Sequence, residues 1–304
     1  MNNLALFKYC QNNPEDFFDP HYMFLEKHRE LDKYIKRTQE LKNKIIAWNN
    51  IPKSSSGKKV SKEILKEVSH LLTEHANYSE FSAFLNACDS NIVDVKKNLE
   101  ALKKMLSLYY ANRDINDKVP SEWIQAMIDK RSSSKKGSSG ERKICTLLKE
   151  GGYKEAVDVE DLKKSKKGYA VFSKSSGKFS NKLIQEEFAL DLFSKTQNKA
   201  LDLIIKKGAD YYFLEAKHMH VGGGEQSKQI LELSKLIAFK TKDKHKHIVA
   251  FLDGLYSNRL LSSIKKDGKN NKFQTQREDI YKNLKNNPFN YWLNTAGFMK
   301  LFLL

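Results

Sequence analysis

The stretch "LDLIIKKGADYYFLEAKH" (residues 201–218) sets three charged side chains, Asp202, Glu215 and Lys217, inside two otherwise apolar runs. The segments "KALDLII" and "YYFLEAKHM" predict two strands joined around Gly208. Strand alternation turns Leu201 and Leu203 to the face opposite Asp202, while Glu215 and Lys217, two apart, share one face. Folding the pair back around "KKGAD" brings Asp202 across from residues 214–216. A cross-strand ion pair on a wet strand is the plainer reading, but the neighbours are too apolar for an ordinary wet face. Two adjacent carboxylates repel unless a cation joins them. Mg²⁺ suits the pair, because it takes oxygen ligands and usually only one or two carboxylates. Such an ion polarises a phosphodiester and acidifies a bound water. Lys217 is suited to orient that water or to neutralise charge building on the phosphate.

Outward from this pair, "SSGERKICTLLKEGGY" predicts a helix, and "YAVFS" a strand within the basic stretch 162–182. A short helical piece, "LIQEEFALDLFSK", precedes the two strands. Residues 225–240 predict a helix and 246–254 a strand. The order helix, strand, strand, strand, helix, strand is that of a mixed α/β core. With Asp202, Glu215, Lys217 and this order, the chain over 138–254 resembles the PD-(D/E)XK nuclease superfamily, which includes most type II restriction endonucleases. Leu201 stands where the family pattern has Pro. The resemblance implies a restriction-endonuclease-like αβββαβ fold and Mg²⁺-dependent hydrolysis leaving 5′-phosphate and 3′-hydroxyl ends.

Two further residues join the candidate site. Ser138 and Glu141 form the S-x-x-E pattern of a capping box. Glu141 also begins the helical stripe Glu141, Ile144, Cys145, Leu148, which points it towards the sheet. Gln226 begins the stripe Gln226, Ile230, Leu233, Ile237, behind the glycine turn of "VGGGEQ". The resemblance implies that Glu141 assists the metal and that Gln226 positions the lysine or a phosphate. The candidate ligands are therefore Asp202, Glu215 and Glu141.

The N-terminal region, up to position 130, predicts helices over 24–48, 61–75 (with Ser61 as N-cap), 91–110 and around "EWIQAMIDK", with 51–62 as a loop. "RSSSKKGSSG" (131–140) reads as a linker, so the expected division is a helical region 1–131 and a catalytic region 138–304. The net charge is +17, unevenly spread. Residues 1–130 hold 20 Lys/Arg against 18 Asp/Glu, whereas 131–304 hold 34 against 19. A polyanion is the partner this asymmetry suits.

Phosphate-contact candidates are Lys163, Lys164, Lys166 and Lys167, then Lys174, Lys178 and Lys182, then Lys265, Lys266, Lys269 and Lys272. Asn270, Asn271, Gln274, Gln276 and Arg277 are of types that read base edges and sit in one expected loop. Asp253, Tyr256 and Asn258 are expected to border the DNA cleft.

Cys10, Cys88 and Cys145 are too scattered for a disulfide framework or a CxxC metal site. The pairs His218/His220 and His245/His247 would need to converge to hold zinc. "NNPF" (286–289) departs from the amino-methyltransferase motif, and no glycine-rich cofactor turn precedes it. With no long apolar run and no signal-peptide pattern, a cytoplasmic protein is expected. The expected function is a sequence-specific double-stranded DNA endonuclease of a restriction-modification system, acting as a homodimer on a palindromic site. A structure-specific or repair nuclease and a non-catalytic DNA-binding protein are the alternatives.

Overall fold

The computed structural model describes residues 2–23, 27–52, 54–130, 133–172, 179–190, 201–220, 224–241, 243–262 and 272–304. The chain divides into two compact units, one formed by residues 1–23 with 134–304, the other by 24–133. No helix of the described residues is long and apolar enough to cross a membrane.

Helix α1 (Asn3–Asn12) belongs to the first unit. The second unit is helical: α2 (Leu31–Asn49), α3 (Ser55–Leu71), α4 (Glu80–Ala87), α5 (Ile92–Val95), α6 (Leu99–Asn112) and α7 (Ser121–Lys130). Leu41, Ile45, Leu65, Val68, Phe81, Leu85, Leu102 and Leu106 form its main core. Two local expectations change here. Helix α3 starts at Ser55, because Ser54 accepts a hydrogen bond from Gly57 N at 3.1 Å and caps the first turn. Ser61 is interior to that helix, and its hydroxyl instead accepts from Trp48 Nε1 at 3.0 Å. Only glycine fits at 57, since a Cβ there would lie 2.1 Å from Pro52 O.

The first unit continues with α8 (Ser133–Glu150), β1 (Lys154–Glu155), α9 (Val159–Lys164), β2 (Lys167–Val171), α10 (Asn181–Phe188), β3 (Leu203–Lys207) and β4 (Asp210–His218). It ends with α11 (Gly224–Ile237), β5 (Lys246–Asp253), α12 (Leu255–Leu261), α13 (Lys272–Asn286), β6 (Tyr291–Leu293) and α14 (Thr295–Phe302). The six strands form one mixed sheet in sequence order. The β2–β3 and β3–β4 pairs are antiparallel; β1–β2, β4–β5 and β5–β6 are parallel. Lys207 pairs with Asp210 around Gly208, whose φ of +63° suits glycine. Leu203, Ile205, Tyr212 and Leu214 pack in the core that holds α1, α8, α11 and α14. Ile204 and Phe213 pack in a second core with α9 and α10. The start of β3 and the carboxyl ends of β4 and β5 lie at one end of the sheet, where open α/β sheets place their ligands.

Three expectations about organisation are corrected. From Ser133 onward the expected linker is the first part of α8, so Ser138 is not a helix cap. At Gly140 the helix runs close to Tyr22, whose hydroxyl would be 3.3 Å from an added Cβ; small residues permit that approach. The segment Met1–Met23 belongs to the α/β unit rather than to the helical region. Its attachment is specific. Asn3 Nδ2 donates to the carbonyls of Leu284, Asn287 and Asn290 at 2.8, 3.1 and 3.0 Å, and Leu6, Phe7 and Cys10 lie in the main core.

Candidate functional site

The antiparallel ladder runs from Lys207 to Leu203, and Asp202 stands just before it. Its amide still donates to Leu214 O at 3.0 Å, and its carbonyl accepts from Phe172 N at 2.9 Å. Asp202 Oδ2 accepts from Ala216 N at 2.7 Å. The carboxylate is therefore held on the amide between Glu215 and Lys217, by a bond that fixes its rotamer. Glu215 is 6% exposed. Lys217 Nζ donates to Glu215 Oε1, so the two side chains share a face of β4 as strand alternation requires. Burying a carboxylate is costly unless it is paired, and Lys217 supplies the pairing. Two hard oxygen donors held on adjoining strands fit a magnesium ion, which takes its other ligands from water and substrate.

Glu141 is half-buried on α8, whose Ile144 and Leu148 are fully buried in the main core. Among the described residues no three His, Cys, Asp or Glu side chains form a metal-holding group, so Glu141 does not complete a three-carboxylate set with Asp202 and Glu215. Gln226 is half-buried in the first turn of α11, and Ile230, Leu233 and Ile237 of its stripe are buried as the spacing predicts.

The basic candidates spread widely. Lys163 Nζ pairs with Glu187 at 2.5 Å, and Lys167 Nζ donates to Gly151 O at 3.2 Å. Lys164 closes α9, and Lys166 O accepts from Gly208 N at 2.8 Å. Lys167 pairs with Lys207, at the end of the sheet away from Asp202. The β3 span alone puts this group roughly 16 Å from the carboxylates. Lys174, Lys178, Lys265, Lys266, Lys269, Asn270 and Asn271 lie outside the described residues, as does the side chain of Lys182. Lys272, Gln274, Gln276 and Arg277 are on α13 and not in a loop. Ile280 and Leu284 bury one face of that helix and draw the polar residues into it. Gln274 bonds Glu278 at 2.9 Å, Arg277 donates to Ser262 O, and Lys272 Nζ donates to Ser227 Oγ.

Asp253, Tyr256 and Asn258 are not cleft residues. Asp253 is fully buried and Tyr256 nearly so. Asn258 accepts from Glu15 N at 2.7 Å and donates to Glu15 O at 2.8 Å, which ties α12 to the N-terminal segment. Asp253 is the centre of an ionic cluster that sequence reasoning missed. Its Oδ2 accepts from Lys143 Nζ at 2.9 Å and from Tyr22 OH at 2.6 Å, and its Oδ1 lies 2.9 Å from His218 Nδ1. Lys143, 2% exposed, also donates to Asp19 Oδ2 at 2.5 Å and Thr295 Oγ1 at 2.6 Å, with Glu15 Oε2 at 3.8 Å. Thr295 donates through N and Oγ1 to Glu15 at 2.6 and 2.7 Å.

Burial works to raise the Asp253 pKa, but the His218 hydrogen bond and the Lys143 charge outweigh it and hold the carboxyl below its usual range. Burial likewise works against the Lys143 ammonium, and the charges of Asp253 and Glu15 more than compensate. Glu15 goes the other way: its burial exceeds what Lys143 and the Thr295 amide return, so its pKa is raised. The single available signal was a lysine on the apolar stripe side of a helix, at 143 beside Ile144.

The other candidates fall apart in space. His245 Nδ1 is 2.7 Å from Asp210, while His247 Nδ1 meets Phe289 O at 2.8 Å, so neither pair joins the other around a zinc ion. All three cysteines are free thiols; Cys10 is buried, and burial pushes its pKa up to about 12. No protein-family model, curated protein or solved structure matches the chain.

Proposed function

We propose that the chain is a Mg²⁺-dependent DNA endonuclease of the PD-(D/E)XK type, most specifically a type II restriction enzyme acting as a homodimer on double-stranded DNA. The observation that carries this reading is the Asp202 carboxylate fixed on Ala216 N, between Glu215 and Lys217. The succession α8, β2, β3, β4, α11, β5, with antiparallel pairing through β4 and a parallel β5, supports the same reading. Asp202 and Glu215 would hold the ion, which supplies Lewis acidity and an acidified water at the phosphate.

The protein's own residues set the geometry. Ala216 N holds Asp202 in one rotamer, so the carboxylate needs no reorganisation when charge arrives. Lys217 stays paired with the buried Glu215 until a substrate phosphate offers the ammonium a second anion. At that point Lys217 stabilises the negative charge developing on the phosphate, and Gln226 is available to orient it. The +15 net charge of residues 131–304 favours binding to the polyanionic backbone.

The test is incubation of the purified protein with plasmid and phage DNA, with Mg²⁺ or with EDTA, followed by sequencing of fragment ends. Discrete fragments with 5′-phosphates, formed only with Mg²⁺, are expected. Lys217→Ala and Asp202→Asn are expected to slow cutting by about a hundredfold to a thousandfold while DNA binding persists. Unchanged cutting by either variant rules out the assigned roles. Cutting confined to branched or damaged DNA replaces the restriction reading with a repair nuclease, and binding without any cutting leaves a DNA-binding protein.

A further inference from the structure

The end of the sheet away from the carboxylates carries charge that the nuclease reading does not use. Lys167 of β2 and Lys207 of β3 stand directly opposite each other in the antiparallel ladder, on one face of the sheet. Like charges in that position destabilise a strand pair. No carboxylate of the described residues forms an ion pair with either of them. Lys167 Nζ donates to Gly151 O at 3.2 Å, just past α8, and lies 5.3 Å from the centroid of the Tyr153 ring. Lys207 Nζ donates to Leu301 O at 2.6 Å, in the last turn of α14. Burial and the neighbouring Lys167 charge hold the Lys207 ammonium below the usual lysine range.

The carboxylates on the adjoining strands are engaged elsewhere. Asp210, opposite Lys207 on β4, has its Oδ1 2.7 Å from His245 Nδ1. Glu155 on β1 accepts from Tyr169 OH at 3.1 Å and lies 3.5 Å from Lys149 Nζ. Lys154 at the start of β1, Lys164 closing α9 and Lys166 before β2 are exposed around the lysine pair, and none of the three is ion-paired among the described residues.

Capping explains where each ammonium lies, since a lysine near a helix end satisfies its free carbonyls. It does not explain the pair, because a neutral donor would cap either helix without the repulsion. An ammonium has three donor hydrogens, and each of these two shows one carbonyl bond, so both have donors left for an oxyanion. The span of β3 puts the group roughly 16 Å from Asp202 and Glu215, so no single phosphate reaches both places. Five lysines spread over the ends of three strands and a helix suit an extended polyanion better than one small anion. We infer that Lys167 and Lys207, with Lys154, Lys164 and Lys166 around them, form a second nucleic-acid surface that grips the backbone phosphates of a stretch of DNA other than the one at the carboxylates. The inference rests on the DNA-binding part of the proposed function and not on cleavage.

The test is binding of a long duplex by the full chain in EDTA across a range of salt concentrations. Lysine acetylation of the free and bound protein, read by mass spectrometry, runs in parallel. Protection of Lys167 by DNA is expected. The double variant Lys167→Gln with Lys207→Gln is expected to flatten the slope of log affinity against log salt by about 2, one for each lost phosphate contact. Lys167→Glu turns the like pair into an opposite one, so its melting temperature is expected to hold or rise while DNA affinity falls, which separates lost binding from a damaged fold. A slope unchanged in both the double variant and Lys167→Glu, or no protection of Lys167 by DNA, overturns the second surface and leaves the proposed function standing. Equal protection by tripolyphosphate at the same phosphate concentration makes this a small-anion site and overturns the nucleic-acid assignment. No DNA binding by the unaltered protein overturns both this surface and the proposed function.

Discussion

Lys143 is held by three carboxylates in a space with almost no solvent, and that arrangement makes a single side chain decisive. Replacing it with methionine, Lys143→Met, keeps the length and removes the buried ammonium that Asp253, Asp19 and Glu15 share. Removing one partner of a buried ionic group costs about 3–5 kcal/mol, and a urea unfolding midpoint reads that loss. The same cluster sets a pH signature. Asp253 and Asp19 have folded-state pKa values below 3.8, so their contribution is whole above 3.8 and is lost as pH falls through those lower values. Glu15 is raised above 4.5, so the folded state binds its proton first and stability rises as pH falls through that raised value towards 4.5. Stability against pH is therefore expected to rise gently in mild acid and then fall, and Glu15→Gln is expected to remove the rise. Denaturation curves taken across acidic pH values measure both.

At the scale of an element, β4 and β5 end side by side, with His218 opposite Asp253, and the chain leaves β5 through Gly254. Gly254 has φ 81° and ψ 171°, a region that only glycine occupies without strain. A Cβ there would also lie 2.4 Å from Met219 O. Gly254→Ala is expected to cost at least about 1–3 kcal/mol from the backbone alone and to loosen the His218–Asp253 bond. A lowered melting temperature together with a shifted His218 ring resonance checks it. Helix α8 shows how an element escapes its sequence. "SSKKGSSG" (133–140) has the composition of a linker, yet it belongs to a helix whose later residues Ile144, Leu147 and Leu148 are buried. Packing of the apolar turns extends the helix into residues of weak propensity.

At the scale of the whole molecule, the segment Met1–Met23 is part of the α/β unit although the whole helical unit, Phe24–Ser133, separates it in sequence from the remainder. Asn294 Nδ2 donates to Cys10 O and Asn13 O, and Asn3 holds three carbonyls between positions 284 and 290. Deleting Met1–Met23 removes these contacts and exposes the apolar faces of β6 and α14 that α1 covers. The truncated protein is expected to lose cooperative thermal unfolding and to be cut rapidly by protease in 272–304, which limited proteolysis measures.

Hydrophobic alternation and charge by themselves determined the hairpin around Gly208, the shared face of Glu215 and Lys217, the buried stripe of α11 and the general α/β class. Each depends on residues close in sequence, where strand and helix periods fix direction. Only the tertiary structure decided that Asp202 binds Ala216 N, that Glu141 does not join a third carboxylate to the pair, and that Gln274 and Arg277 ride on a helix. It alone assembled Glu15, Asp19, Tyr22, Lys143, His218, Asp253 and Thr295, which are drawn from both ends and the middle of the chain. A buried ionic group leaves no periodic trace in sequence, because its partners are chosen by long-range packing and its burial is tolerated only once all of them have met.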